Sequence, residues 1–427
     1  MSSETAMKIL IVSQYFWPET FRINEVAASL RDAGCEVTVL TGEPNYPDGV
    51  VFPGYRWWKV SRETHEGIPI FRVPLVPRGR ASALKLVLNY LSFMLGGSLI
   101  GPWLLRGRRF DVVFVYGVSP ILKILPAMVV RRFTGGELVT WVQDLWPQSL
   151  QVTGFVRNQR VLGAVAALVR WLYRHNQLLL VQSQGFVPLV ASMSGATPVE
   201  YHPNPGELAF MAEPEGAPAL TLEPGFNVVF AGNLGTVQAL DTVIEAARQL
   251  RDVPAIRFVL IGSGSRGEWL RSEVRRLGLT NVQMPGRFPP QAMPGILAQA
   301  SALLVSLTRD PMLSQTVPSK IQAYLATGRP LIASLDGEGA RVVDESGAGL
   351  VCPAEDAAAL AGAVRRLQAL DATQLSRMGQ AGRSYYLNHF EPRALARRLV
   401  QRFDDLAAPG GPLAGRRQGN AMESDHV

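Results

Sequence analysis

The sequence predicts an α/β protein made of two Rossmann-like domains, and three observations lead there. Short apolar, β-branched runs alternate with longer stretches of helical period, which is the rhythm of a parallel sheet covered on both faces. The alternation occurs twice, with a Pro-, Gly-, Ala- and Glu-rich stretch of little periodicity at 192–224 between the two series. The chain of 427 residues, 47% hydrophobic and 18% charged, is long and apolar enough for two cores.

Taken in order, the first series places strands at 8–13, 37–40, 70–73, 111–116, 138–142 and 178–182. The loop after the first strand reads Gln-Tyr-Phe-Trp-Pro-Glu-Thr-Phe-Arg-Ile-Asn-Glu and enters a helix at the end of the sheet that faces an interdomain cleft. Glu19, Arg22 and Asn24 are its candidates for substrate contact, and Asn24 serves equally well as a helix cap. His65 is expected in a surface loop, and Trp57 and Trp58 at a packing edge. The strand at 138–142 runs into Trp-Val-Gln-Asp-Leu-Trp-Pro, so Asp144 stands at a carboxyl edge, able to orient or deprotonate a hydroxyl or to cap the next segment. The second series has strands at 226–231, 256–261, 282–284, 302–305, 330–334 and 349–351. Residues 359–406 are helical in pattern, and the terminal helix is expected to cross back onto the first domain. The expected boundaries are 1–200, 201–390, a crossover helix at 391–408 and a disordered tail at 409–427.

The formal charge is +7 and unevenly spread. Between 75 and 135 stand Arg78, Arg80, Lys85, Arg106, Arg108, Arg109, Lys123, Arg131 and Arg132 against Asp111 alone, an excess that favours an anionic surface. No recognition helix, zinc finger or RNA-binding signature accompanies it, so nucleic acid is not the expected partner. The same region holds the uncharged run 86–105, long enough to span a bilayer. It lies between two strands of one sheet, so a helix lying in the membrane interface or against the sheet is the expected form. No secretory signal precedes Lys8, and the two cysteines, Cys35 and Cys352, lack the neighbours of a metal site.

Three glycine-bearing turns suggest anion binding. In Val-Pro-Ser-Lys-Ile-Gln-Ala-Tyr-Leu-Ala-Thr-Gly-Arg-Pro, Pro318 and Ser319 open a helix whose free N–H groups suit a diphosphate, with Lys320 as a point charge and Gly328 as the stop. Gly232, Asn233 and Gly235 follow the first strand of the second domain, where ligands of open α/β sheets bind. Residues 262–267, Gly-Ser-Gly-Ser-Arg-Gly, match a dinucleotide fingerprint formally, but no acid lies about twenty residues on to hold a ribose.

On residues 14–25, Glu-Pro-Asn-Tyr-Pro-Asp-Gly at 43–49, Val-Gln-Asp-Leu-Trp-Pro-Gln-Ser at 142–149, 230–247, and 317–334 followed by Gly337-Glu338-Gly339, the chain resembles the retaining glycosyltransferases of family 4. These are two-domain GT-B enzymes, and the likeness to their fucosaminyltransferase-like branch, which builds bacterial surface polysaccharide, runs from Lys8 to about Leu406. The resemblance implies a UDP-sugar donor held by the second domain, an acceptor in the first, retention at the anomeric carbon and neither cofactor nor metal. It implies that the turn with Gly232, Asn233 and Gly235 and the Ser319–Lys320 helix start hold the diphosphate. Arg287 and Phe288 would contact the base, and Glu338 and Gly339 would lie near the sugar. It also implies a polyprenyl-diphosphate-linked acceptor on an anionic membrane surface, with the enzyme cytoplasmic and peripheral or monotopic at the inner face of the inner membrane.

The chain departs from the family's pattern in places. The usual pair of glutamates is Gln315 and Ala323 here, the Arg and Lys after the glycine turn are Asn233 and Gln238, and the first-domain His is replaced by Gln143-Asp144. Phosphate charge then falls to Lys320, helped by Arg266 or Arg309, and acceptor chemistry to Asp144. A nucleotide-sugar epimerase of the same fold and a non-catalytic, membrane-associated nucleotide-sugar-binding scaffold are the alternatives.

Overall fold

Among the described residues, unit 1 of the computed structural model takes those up to Gln182, then Phe186–Asn204 and those from Leu395 to Ala408, while unit 2 takes Ser183–Gly185 and those in Pro205–Ala394. The structure describes residues 6–79, 82–152, 158–211 and 218–408; the expected tail at 409–427 lies outside them.

In unit 1 the elements run β1 (Lys8–Val12), α1 (Arg22–Asp32), β2 (Glu36–Gly42), β3 (Ser61–His65), β4 (Ile68–Val73), α2 (Ala83–Leu99), α3 (Gly101–Leu104), β5 (Val112–Gly117), α4 (Ile124–Thr134), β6 (Glu137–Val142), α5 (Gln148–Val152), α6 (Gln159–Arg174), β7 (Leu178–Val181), α7 (Phe186–Ser194) and β8 (Val199–Tyr201). The sheet order is β3-β4-β2-β1-β5-β6-β7-β8, with every pair parallel except β3 with β4. Strands β5 and β6 are buried at every position, as strands covered on both faces must be. Four X-Pro bonds are cis, after Trp17, Tyr46, Ser119 and Trp146, each in the loop leaving the carboxyl end of β1, β2, β5 or β6.

Three expectations change here. His65 ends strand β3 and stacks on Trp17 at 4.1 Å, so it is not in a loop. Ser-Arg-Glu-Thr-His carries no apolar residue to signal a strand; the hairpin comes from the positive φ of Glu66 and Gly67, which suits a tight turn. The stretch 192–224 begins inside α7 and contains β8, so the joint is shorter than its composition suggests. The apolar run 86–105 breaks at Ile100 into α2 and α3, and among the described residues no helix is long and apolar enough to cross a membrane.

One face of the unit 1 sheet packs against α2, α3, α4, α6 and α7, and the opposite face against α1 and the last helix, α15 (Pro392–Ala407). Leu399, Phe403 and Leu406 enter the core beside Ile9, Phe114 and Trp141, with the Phe403 and Phe114 rings 5.5 Å apart. Arg402 adds a forked pair with Glu200 at 2.6–3.0 Å.

Unit 2 runs β9 (Phe226–Asn233), α8 (Leu240–Gln249), β10 (Ile256–Ser263), α9 (Gly267–Arg276), β11 (Val282–Gly286), α10 (Met293–Leu297), β12 (Ala302–Ser306), α11 (Ser319–Thr327), β13 (Leu331–Ser334), α12 (Glu338–Glu345), β14 (Gly349–Cys352), α13 (Ala357–Gln368) and α14 (Ala372–His389). All its strands are parallel, in the order β11-β10-β9-β12-β13-β14. That is the Rossmann order, which reverses between β9 and β12 and opens a crevice beyond their carboxyl ends.

Candidate functional site

The crevice of unit 2 is built by α11 closing against the end of β9. Pro318 precedes the first turn of α11, whose leading amides have no intrahelical acceptor, and Gly328 ends it at φ 68°. The Tyr324 hydroxyl fixes the helix, accepting from the Ala231 amide at 2.9 Å and donating to the Ala231 carbonyl at 3.2 Å. A cavity of about 460 Å³ results, with Gly232, Asn233, Gly262 and Ser263 on the strand side and Ser319 and Lys320 on the helix side. Arg287 and Phe288 stand on its wall.

Two glycines make this geometry possible. Both Gly232 and Gly262 have φ 142°, a region that other residues rarely adopt. A Cβ on Gly262 would lie 1.8 Å from the Gly232 carbonyl oxygen, and one on Gly232 would lie 2.5 Å from Lys320 Cε. The glycines therefore let β10 and β9 approach each other and let Lys320 lie across the strand end. The Lys320 ammonium sits 4.4 Å from the Phe230 ring centroid, and no carboxylate among the described residues pairs with it. Burial lowers its pKa to about 8. The Lys320 ammonium, a helix start and bare backbone facing a cavity suit a diphosphate.

The structure brings Lys320, Ser319, Gly232, Asn233, Arg287 and Phe288 together and places the other expected residues elsewhere. Gly235 does not line the cavity; its N–H donates to Gln238 Oε1 at 3.0 Å and is spent within the turn. Arg266 is held by both oxygens of Asp241 at 2.8 and 3.0 Å and lies over the Trp269 ring, turned from the cavity. Arg309 donates to the Ala354 carbonyl at 3.0 Å. Glu338 starts α12 and pairs with Arg341 at 2.9 Å, while Gly339 is buried in that helix; neither lines the cavity. Sequence reading missed Glu207, Phe210, Met293 and Tyr324 on the cavity wall. Glu207 falls in the stretch assigned to a linker, and Tyr324 carries the period of a core residue.

In unit 1 the carboxyl ends of β1, β2, β5 and β6 gather a buried polar cluster. Glu19, expected to meet substrate, is 1% exposed, and its oxygens accept the amides of Asn45, Tyr46 and Phe16 at 2.8, 2.7 and 3.2 Å. It is a latch between two loops, and burial raises its pKa to about 7 against those hydrogen bonds. Asn24, also expected to contact substrate, closes the same loop, accepting from Trp17 N at 3.2 Å and donating to the Glu19 carbonyl at 2.7 Å. Arg22 opens α1, half-buried. Asp144 is half-buried, with one oxygen accepting from the amide and hydroxyl of Ser119 at 2.6 and 2.7 Å. Lys123, fully buried beside them, has no hydrogen-bond partner for its amine among the described residues; desolvation lowers its pKa to about 7, with Asp144 and Glu19 pulling the other way. Among the described residues no group of three or more His, Cys, Asp or Glu side chains could hold a metal ion.

Two sheets, the first parallel but for one edge strand and the second of Rossmann order with an anion-suited cavity at its reversal point, define a two-domain α/β protein of the GT-B fold. Residues 225–369 match the family described as "Glycosyl transferases group 1", and residues 20–205 match the "Glycosyl transferase 4-like domain". Both matched families are glycosyltransferase families, one in each half of the chain. It is 29% identical over 342 residues to WcaI of Escherichia coli K12, assigned to colanic acid biosynthesis as a glycosyl transferase, a match covering 75% of this chain and 82% of WcaI. Among solved structures, sucrose-phosphate synthase from Thermosynechococcus elongatus superposes with a TM-score of 0.67 at 17% identity, over 94% of this chain and 99% of that one. HepE of Anabaena in complex with UDP gives 0.64 at 13% identity, over 93% and 100%. At these identities the solved structures speak to fold alone.

Proposed function

We propose that this enzyme transfers an N-acetylamino sugar from a UDP-sugar to a polyprenyl-diphosphate-linked saccharide, with anomeric retention and without a metal, in lipopolysaccharide, capsule or exopolysaccharide synthesis. The observation that carries it is the cavity at the end of β9, where Lys320 and the start of α11 meet bare glycine backbone. The relative WcaI supports the polysaccharide context, and HepE, which shares the fold, is itself a UDP-binding protein.

In this reading the anomeric carbon breaks its bond to the diphosphate oxygen and forms one to an acceptor hydroxyl. Lys320 and the α11 amides stabilise the charge that develops on the departing UDP. The acceptor proton passes to the Asp144 carboxylate or to the leaving diphosphate. Arg287 and Phe288 offer a planar cation and an aromatic face to uracil, and Glu207 supplies a carboxylate for the ribose hydroxyls in place of the neutral Gln315 and Ala323. The acceptor lies on the inner leaflet of the inner membrane. The exposed side chains of Leu84, Val87, Leu88, Leu91, Leu95, Leu99 and Trp103 on α2 and α3, beside Arg106, Arg108 and Arg109, support binding there.

The test offers a panel of UDP-N-acetylamino sugars, including UDP-N-acetylfucosamine, with polyprenyl-diphosphate-N-acetylglucosamine, and weighs the lipid by mass spectrometry. A gain of one sugar is the expected result. Conversion of UDP-sugar without lipid would make the protein an epimerase, and UDP binding with no product from any acceptor of this class would make it a scaffold.

A further inference from the structure

The segment after β4 runs antiparallel along α2, and the seam between them is apolar at one end and cationic at the other. The Trp57 carbonyl accepts from the Leu75 amide at 2.8 Å, which ties the Trp57 loop to this segment. Val76 N donates to Ser92 Oγ at 3.0 Å, and one turn nearer the helix start Asn89 Nδ2 donates to the Val76 carbonyl at 2.6 Å. A Cβ on Gly79 would lie 2.8 Å from Lys85 Cδ, so the segment reaches the first turn of α2. Along the apolar end lies a groove of about 310 Å³ lined by Trp57, Leu75, Val76, Leu95, Leu99 and Ile100 with their neighbours. Its one polar side chain, Ser92, is already spent on Val76 N.

At the other end stand Arg78, anchored by its amide to Asn45 Oδ1 at 3.0 Å and lying 5.0 Å from the Tyr46 ring centroid, and Lys85 on the first turn of α2. Among the described residues neither makes an ion pair, and that turn carries no acidic residue.

We propose that this seam is the site for a lipid diphosphate: the first isoprene units lie in the groove between Trp57 and Leu95–Leu99, and the diphosphate meets Arg78, Lys85 and the start of α2. It rests on the lipid acceptor of the proposed function and specifies its binding. Charge complementarity selects this occupant, because a neutral hydrocarbon has no use for the cationic end and a free sugar phosphate none for the groove. The groove also continues into the exposed apolar stripe of α2, so a chain can enter from a bilayer without crossing water.

The test measures calorimetric binding of farnesyl diphosphate and of inorganic diphosphate to the full chain with its donor cavity saturated by UDP. Wild type should bind farnesyl diphosphate at least about tenfold more tightly than inorganic diphosphate. Leu95→Glu with Leu99→Glu should abolish that preference while UDP affinity stays as in wild type, and Arg78→Ala with Lys85→Ala should weaken both ligands. Leu95 and Leu99 are exposed, and Leu95→Ser with Leu99→Ser repeats the test without added charge if the acidic pair perturbs the fold. Equal affinity for the two ligands in wild type overturns the proposal. So does a preference that survives both pairs of leucine substitutions. Loss of binding to phosphatidylglycerol vesicles with the preference intact would make the groove an insertion surface for bilayer chains and would overturn it too. No sugar transfer enters the readout: an inactive protein that shows the preference sinks the proposed reaction alone, and an active one without it sinks the groove alone.

Discussion

Lys320 governs the donor cavity through its charge state. In the empty cavity burial lowers its pKa to about 8, whereas a bound diphosphate favours the ammonium. Below that pH the proton is already in place, and above it binding must recruit one. UDP affinity measured calorimetrically should therefore fall as pH rises from about 7 to about 9, by up to about tenfold per unit past the midpoint. Lys320→Met should flatten this dependence and lower transfer by roughly 10²-fold or more. Gly262→Ala should be destabilising by about 1–3 kcal/mol or prevent folding, read as a lower Tm, because its methyl would meet the Gly232 carbonyl at 1.8 Å. Lys320 and Gly232 were legible in the sequence because a strand, a glycine and a helix start fix a backbone position. Glu19, Asn24 and Arg266 were misread because a loop sequence fixes neighbourhood but not direction: each has a closer partner in the folded chain, the amides of Phe16, Asn45 and Tyr46, the Trp17 turn, and Asp241.

Elements were legible where apolar periodicity is strong. All twelve expected strands exist; most are buried runs between turn residues, while β11 and β14, at the edges of their sheet, are only partly buried. Two were missed, β3 for want of apolar residues and β8 because Val-Glu-Tyr is short and half-buried. The short turn between β5 and α4 sets Lys123 in a fully buried place, which no local pattern announces. Its folded pKa of about 7 lies below the 10.5 of an exposed lysine, so the unfolded chain holds more protons between those values. Lys123 thus costs stability most at and below neutral pH, and the cost fades as pH rises toward 10.5. Lys123→Met should raise Tm by a few degrees near pH 6, with the gain shrinking in alkaline buffer, as read by differential scanning calorimetry. A gain that does not vary with pH would mean that the amine binds its proton equally well in the folded and the unfolded chain, and that burial does not shift it.

At the scale of the molecule, charge and apolar exposure coincide on the helical layer of unit 1. Arg106 lies 5.2 Å from the centroid of the exposed Trp103 ring, and Phe133 and Trp171 are exposed on neighbouring helices next to Arg132 and Arg170. Co-sedimentation with vesicles containing anionic lipid should fall several-fold as salt rises from about 0.05 to about 0.5 M, because only the arginine part of the contact is screened. The residual binding should vanish in a variant with Leu91→Ser, Leu95→Ser and Leu99→Ser. The sequence carried this surface as a basic region around an uncharged core, and it read as one long helix although Gly101-Pro102, directly after Ile100, marks the break: proline has no N–H for the preceding turn and suits the first turn of a new helix. The packing of α15 on the unit 1 sheet has a consequence in time. The strands of unit 1 leave the ribosome by residue 204, yet Phe403, which fills the core beside Phe114, is made about 200 residues later. At ordinary synthesis rates that is roughly 10–40 s during which an apolar sheet face waits for its cover. The domain translated first is the one finished last, and a nascent chain stalled before Leu395 should depend on chaperones, while unit 2 is already complete.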